Sequence, residues 1–280
     1  MREKLFLFVA IGITVIIFFV AKKEKTSPSP SEQNVPTPMV SPTPTPTPRP
    51  LTFAEMNTLY GPCVRLPVLM YHHIQDKDKA IEKKQTALTV ETTVFQVQMA
   101  YLKQKGYQTV NLNELINFFD FGAKILPKSI FISFDDGYDD FYLNALPILK
   151  ENNFQAVVFL PTGLMNNPGY LNWNQITDSA GYGIYFGNHT WSHKNVKASQ
   201  EVIEREISLA DIQLTEHGLN SLKIFSYPYG LGNDYDRQFL EKLGYKLAFS
   251  TKPGSTLCKK LRFDLPRVRI GNANLSVFGF

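Results

Sequence analysis

Short apolar runs alternate with amphipathic segments along the chain between Pro67 and Ile270. Runs such as Ala156–Leu160 are continuously apolar and rich in β-branched residues, which is typical of strands buried on both faces. Segments such as Glu201–His217 repeat apolar residues at helical spacing, which predicts amphipathic helices. The predicted strands are Pro67–Tyr71, Tyr107–Val110, Ile130–Phe134, Ala156–Leu160, Ile184–Phe186, Ile224–Phe225, Lys246–Phe249 and Arg267–Ile270. The predicted helices are Thr92–Lys105, a helix capped by Asn113, Tyr142–Glu151, Gln175–Ala180, Glu201–His217 and Asp236–Leu243.

This alternation of strands and helices predicts an α/β domain with a parallel sheet and crossover helices. Seven or eight repeats suggest that the sheet closes into a (β/α)7–8 barrel. In such barrels the active site lies at the carboxyl ends of the strands, so polar residues at those ends are the first candidates for function.

The N-terminal 50 residues have a different pattern. Leu5–Ala21 is an uncharged apolar run of 17 residues between basic residues, which favours a transmembrane anchor within residues 1–25. A cleaved signal peptide has the same basic start, but no small-x-small cleavage site follows the run. Residues 26–50 hold nine of the 18 prolines and predict an extended Pro/Thr/Ser-rich linker. Residues 51–280 then form the single folded domain, which we expect outside the cytoplasm at the cell membrane.

Charge and cysteine content narrow the function of this domain. Residues 1–50 contain six basic and three acidic residues, so the net charge of +4 leaves 23 basic against 22 acidic residues beyond them. A nearly neutral domain with no basic cluster argues against nucleic acid as a partner. The two cysteines, Cys63 and Cys258, could form a disulfide in an oxidising compartment or remain as two free thiols.

The segment "SIFISFDDGYDD" places two acids, Asp135 and Asp136, at the end of a predicted buried strand. Gly137 allows the chain to leave the strand sharply, so both carboxylates could face one point. Two of the five histidines, His189 and His193, follow another predicted strand at i, i+4 spacing. Two histidines and one carboxylate suit a catalytic zinc site, and equally a non-haem iron(II) site.

The motifs "SFDDGYDD" and "HTWSH", in this order, resemble the first two motifs of the polysaccharide deacetylases, the NodB homology domain of carbohydrate esterase family four. The resemblance covers about Pro67 to Ile270. It implies a distorted (β/α) barrel and a divalent metal that removes acetyl groups from N-acetylated sugars. It also implies that Asp136, His189 and His193 bind the metal, and that Asp135 is the general base. Zinc is the expected metal, with nickel, cobalt and iron also compatible with the ligand set.

The segment "FSYPYG" resembles the third family motif, in which the Tyr229 N–H would stabilise the oxyanion. The usual arginine of this motif is missing, and Arg267 is the candidate that would orient Asp135 instead. The late Leu-x-His motif is also missing. "LPVLMYHHI" resembles its replacement in the permuted branch that includes poly-N-acetylglucosamine deacetylases. His72 would then be the general acid, with the adjacent His73 less favoured.

Three functions are consistent with these residues. The first is a metal-dependent, membrane-anchored deacetylase of an N-acetylglucosamine polymer: poly-β-1,6-N-acetylglucosamine, peptidoglycan or chitin oligomers. The second is a non-haem iron enzyme with the same ligands, which would have no use for Asp135. The third is an inactive carbohydrate-binding relative, because two standard motifs are altered.

Trp173 and Trp191 are candidates for stacking on sugar rings.

Overall fold

The structure is a computed structural model that describes residues 49–195, 197–230 and 232–280. The predicted anchor and all but the last two residues of the predicted linker lie outside the described residues. Among the helices within these ranges, none is both long enough and apolar enough to cross a membrane.

Helices and strands alternate through most of the described chain. The helices are α1 (Phe53–Tyr60), α2 (Lys77–Glu82), α3 (Thr92–Gln104), α4 (Leu112–Phe121), α5 (Leu146–Asn152), α6 (Trp173–Ala180), α7 (Gln200–Glu216) and α8 (Asp234–Lys242). The strands are β1 (Cys63–Arg65), β2 (Val68–Tyr71), β3 (His73–Ile74), β4 (Thr89–Val90), β5 (Gln108–Thr109), β6 (Ser129–Phe134), β7 (Ala156–Leu160), β8 (Ile184–Asn188), β9 (Ile224–Ser226), β10 (Leu247–Pro253), β11 (Thr256–Cys258) and β12 (Leu265–Arg269).

Seven parallel strands close into a barrel in the order β2-β12-β10-β9-β8-β7-β6, and β6 pairs back with β2. Strand β5 pairs with the first two residues of β6, ahead of the residues of β6 that pair with β2. The predicted α/β barrel is therefore confirmed, with seven strands. Because all barrel strands run in one direction, their carboxyl ends meet at one mouth.

Strand β6 shows how the barrel positions polar groups. Ile130 and Ile132 pack outward in the core shared with the helices, whereas Phe131 packs inward near Phe249 and Phe159. Side chains alternate along a strand, so the buried Ser133, two residues after Phe131, also faces the barrel interior. Asp135 is next in this series and directly follows the last residue of β6, at the mouth.

Some predicted boundaries are wrong. Helix α4 is capped by Asn111, not Asn113, because the Asn111 side chain accepts from the Glu114 N–H while Glu114 accepts from the Asn111 N–H. The predicted helix from Tyr142 begins as a π-helical turn, Phe141–Ala145, and becomes α-helical only in α5.

The first described elements were not predicted. Strand β1 pairs with β11 in antiparallel register, with Cys63 opposite Cys258, and a disulfide joins these two residues. Helix α1 packs on this ribbon. The capping box of Thr52 and Glu55 was the available sequence signal for α1.

Candidate active site

Two consecutive carboxylates face the mouth of the barrel because the chain turns sharply after β6. Asp136 has a φ of 72°, in the left-handed region, and Gly137 follows with a φ of 63°. A Cβ at Gly137 would lie 2.9 Å from Leu160 Cδ2, so any other residue here would also displace neighbouring side chains. As a result, Asp135 and Asp136 both line one cleft of ≈ 370 Å³.

The two histidines lie in a loop after β8, not on a helix. The Asn188 side chain accepts from the Thr190 N–H, and Thr190 Oγ1 accepts from the Lys194 N–H. Thr190 and His193 have positive φ values of 66° and 57°. Left-handed backbone at non-glycine residues is costly and is often found at functional sites. This turn brings both imidazoles into the cleft that contains the two acids.

Asp136, His189 and His193 form a cluster whose ligand atoms all lie within 4.8 Å of one another. Asp136 Oδ1 is 3.3 Å from His189 Nε2 and 3.1 Å from His193 Nε2. His189 Nδ1 donates to the Ser226 carbonyl at 2.7 Å, so the neutral ring has its Nε2 lone pair facing the carboxylate. Asp136 Oδ1 is buried and accepts no hydrogen bond from the described residues. Lone pairs that converge in this way fit a divalent cation.

Asp135 is held by Arg267 through two parallel hydrogen bonds of 2.7 Å each. Burial raises the pKa of the Asp135 carboxyl, but the Arg267 charge outweighs this effect and holds the pKa below its usual range. The Arg267 side chain is fully buried and also donates to the Ser250 carbonyl and the Ser226 hydroxyl. Asp135 is therefore an ionised carboxylate with a fixed orientation, directly beside the cluster.

His72 lines the same cleft, at the end of β2. Burial lowers the pKa of its imidazole, and the charges of Asp135 and Asp136 act in the opposite direction. A histidine in this position can carry a proton to a group bound between it and the cluster. His73, the less favoured neighbour, instead hydrogen-bonds the buried carboxylate of Asp140.

Tyr229 completes one side of the cleft. It adopts a φ of 62°, and its ring is exposed, with its centroid 4.9 Å from that of His193. Gly230 packs against Thr251 so closely that a Cβ would lie 1.8 Å from the Thr251 hydroxyl oxygen. The turn thus depends on glycine to keep Tyr229 at the mouth.

The structure also places residues in the cleft that sequence reasoning missed. Leu88, Tyr227, Thr251 and Arg269 line it. Arg269 lies two residues after Arg267 on β12, so strand alternation places both on one face and could have identified it.

The two tryptophans do not line this cleft. The Trp173 ring stacks on the His217 ring at 3.7 Å, and the Trp191 ring lies directly over Gly163. Their predicted contact with sugar rings has no support in this geometry.

Comparison with protein families gives a match between residues 123–248 and the model described as "Polysaccharide deacetylase". The Streptococcus pyogenes deacetylase PplD, solved in complex with acetate, is 30% identical in sequence. Its structure superposes with a TM-score of 0.68 over 74% of this chain and 92% of that chain.

Two curated relatives have more specific names. The poly-β-1,6-N-acetyl-D-glucosamine N-deacetylase of Staphylococcus aureus (strain MRSA252) is 28% identical over 199 residues, 66% of this chain and 68% of that protein. The Escherichia coli (strain K12) protein of the same name is 24% identical over 73% of this chain. The present chain spans only 36% of the length of the E. coli protein.

Proposed function

Because this chain belongs to the polysaccharide deacetylase family, we propose that it removes N-acetyl groups from an N-acetylglucosamine-containing polysaccharide with the help of a divalent metal. One observation carries this proposal. A single cleft holds the Asp136–His189–His193 cluster, the ionised carboxylate of Asp135 and the imidazole of His72.

The metal would be held by Asp136, His189 and His193, and zinc is the candidate we favour for this ligand set. A divalent metal supplies Lewis acidity, which polarises an acetamide carbonyl and makes a water molecule more acidic. The Ser226 carbonyl accepts from His189 Nδ1 and so orients Nε2 toward the proposed metal position. Metal-binding histidines commonly have such a hydrogen-bond partner at their other ring nitrogen.

The other residues of the cleft have complementary roles in amide hydrolysis. Asp135 accepts a proton from the attacking water, and Arg267 keeps this carboxylate ionised and oriented. His72 donates a proton to the nitrogen as the C–N bond breaks, so that a neutral amine leaves. The Tyr229 N–H stabilises the negative charge that develops on the carbonyl oxygen.

Poly-β-1,6-N-acetylglucosamine is the polymer we favour as substrate. The names of the S. aureus and E. coli relatives support this choice. Peptidoglycan and chitin oligomers, the other two candidates from the sequence, serve as the comparison substrates in the test.

We also propose that the domain acts outside the cytoplasm, attached to the cell membrane by residues 1–25. The apolar run of Leu5–Ala21 and the proline-rich segment after it support this location. The disulfide between Cys63 and Cys258 is a second support, because such bonds persist in oxidising compartments.

The test is acetate release by the purified full-length protein from the three polymers. We expect release from poly-β-1,6-N-acetylglucosamine above the other two, loss of release after chelation, and recovery on adding zinc or cobalt. Release that survives complete metal removal would contradict the metal-dependent mechanism. Faster release from peptidoglycan or chitin oligomers would contradict the choice of polymer.

A further inference from the structure

Asp140 joins the two segments that carry the proposed proton-transfer residues. It lies on the loop that follows β6, four residues after Asp136, and it is 2% exposed. Its Oδ2 atom accepts from His73 Nδ1 at 2.6 Å, and its Oδ1 atom accepts from the Ile74 N–H at 3.0 Å. One buried carboxylate thus binds both residues that directly follow His72.

Further contacts strengthen this connection. The Asn144 side chain donates to the Ile74 carbonyl at 2.7 Å. The Tyr138 ring, from the same loop as Asp140, stacks on the His73 ring with centroids 3.6 Å apart. On the other side of His72, the Tyr71 carbonyl accepts from the Asp135 N–H at 3.0 Å. The backbone around His72 is therefore fixed to the loop of the two acids from both sides.

The His72 imidazole is held differently from its neighbours. Among the described residues, the hydrogen bonds at this point of the chain are made by Tyr71, His73 and Ile74, not by the His72 ring. The direction of the His72 ring thus depends on the backbone that carries it, and this backbone is bound by Asp140. A shift of about 1 Å in a reacting group can cost about 10²-fold in rate.

We propose that Asp140 is a positioning residue for His72, and that it acts through the His73 side chain and the Ile74 N–H. This inference rests on the proposed function, because it assumes that His72 protonates the leaving amine. It assigns a role to the second histidine of "YHH" and to the last acid of "DDGYDD", which the proposed mechanism does not use.

The test compares two acetylated substrates that differ in the leaving group. An amine cannot leave a tetrahedral intermediate readily unless its nitrogen is protonated, whereas 4-nitrophenolate leaves as a stable anion. A defect in His72 should therefore reduce acetate release from the polymer strongly and hydrolysis of 4-nitrophenyl acetate much less. The full-length protein loaded with zinc is assayed with both substrates, and its zinc content and melting temperature are measured.

We expect Asp140→Ala to reduce release from the polymer by about 10²-fold while hydrolysis of 4-nitrophenyl acetate falls much less. Zinc content should stay at one per chain. His72→Ala should lose about 10²–10⁴-fold on the polymer, and adding Asp140→Ala to it should cause little further loss, because both changes remove the same step. If Asp140→Ala does not fold, Asp140→Asn keeps an acceptor for the Ile74 N–H and should show a smaller loss with the same substrate dependence.

Asp120→Ala is the control. Its carboxylate accepts from Arg262, which also donates to the Lys246 carbonyl directly before β10, at the end of the barrel opposite the cleft. Its removal should leave the zinc content and the ratio of the two activities unchanged. Equal losses on both substrates in the Asp140 variants, loss of their zinc, or losses that add fully to those of His72→Ala would overturn the proposal. A zinc-loaded wild-type protein that releases no acetate from any polymer would instead overturn the proposed function, and this inference with it.

Discussion

We predict that loss of the contact between Arg267 and Asp135 lowers both the free energy of unfolding and the deacetylase activity. Arg267→Met removes a fully buried guanidinium and leaves the Asp135 carboxylate without its two hydrogen bonds. Breaking a buried ion pair on one side costs about 3–5 kcal/mol, since a buried charge remains uncompensated. The Ser250 carbonyl and the Ser226 hydroxyl also lose their donor, so we expect a cost within this range.

The assay is urea unfolding of the metal-free proteins at pH 7. The pKa of Asp135 is lower in the folded than in the unfolded protein, so the pair stabilises above the unfolded pKa of about 3.9. This contribution is lost as the pH falls through the pKa of Asp135 in the folded protein. The difference in unfolding free energy between Arg267→Met and wild type should therefore become smaller in acid. Asp135→Asn added to Arg267→Met should recover about 1 kcal/mol or more, because it removes the unpaired charge.

Arg262→Met is the matched control for this experiment. Arg262 makes a similar two-bonded contact with Asp120, but at a partly exposed position. Exposed ion pairs contribute about 0–1 kcal/mol to stability, so the unfolding free energy of Arg262→Met should stay close to that of wild type. The reasoning is refuted if Arg267→Met unfolds with the same free energy as wild type, or if it keeps full deacetylase activity.

Three further results follow from the geometry. His189→Ala should lose bound zinc, measured by elemental analysis after dialysis, and a retained stoichiometry of one would contradict the ligand assignment. Gly230→Ala should lower both the melting temperature and acetate release, because its Cβ would overlap Thr251; unchanged values would show that the turn can relax. Replacing Cys63 and Cys258 together with serine should cost about 2–5 kcal/mol in urea unfolding while zinc stays bound, and an unchanged unfolding midpoint would contradict a stabilising disulfide.

The barrel could be predicted because its strands are short apolar runs with helices between them. The series Phe131, Ser133 and Asp135 follows from strand alternation alone. The left-handed turn at Asp136 could not be derived, because non-glycine residues seldom adopt it and only the surrounding packing makes it favourable. Sequence reasoning could suggest that two adjacent acids converge, but not how the backbone achieves it.

Partners distant in sequence were the least predictable part of the site. Arg267 and Asp135 are 132 residues apart, and only the resemblance to a family, not a local pattern, suggested Arg267 as the partner of Asp135. The bond between His73 and Asp140 spans 67 residues and depends on the pairing of β2 with β6. The terminal ribbon of β1 and β11 was missed because three-residue strands give little periodicity, and their pairing depends on closure of the whole chain.

The central claim is that Asp136, His189 and His193 bind the metal, whereas Asp135 lies beside the metal without binding it and acts as the general base. The most direct measurement is acetate release from poly-β-1,6-N-acetylglucosamine by zinc-loaded wild-type protein and Asp135→Asn, with zinc content determined on the same samples. Our account predicts one zinc per chain in both proteins, and a loss of release of about 10²–10⁴-fold in the variant. Full activity in Asp135→Asn with zinc bound would contradict it.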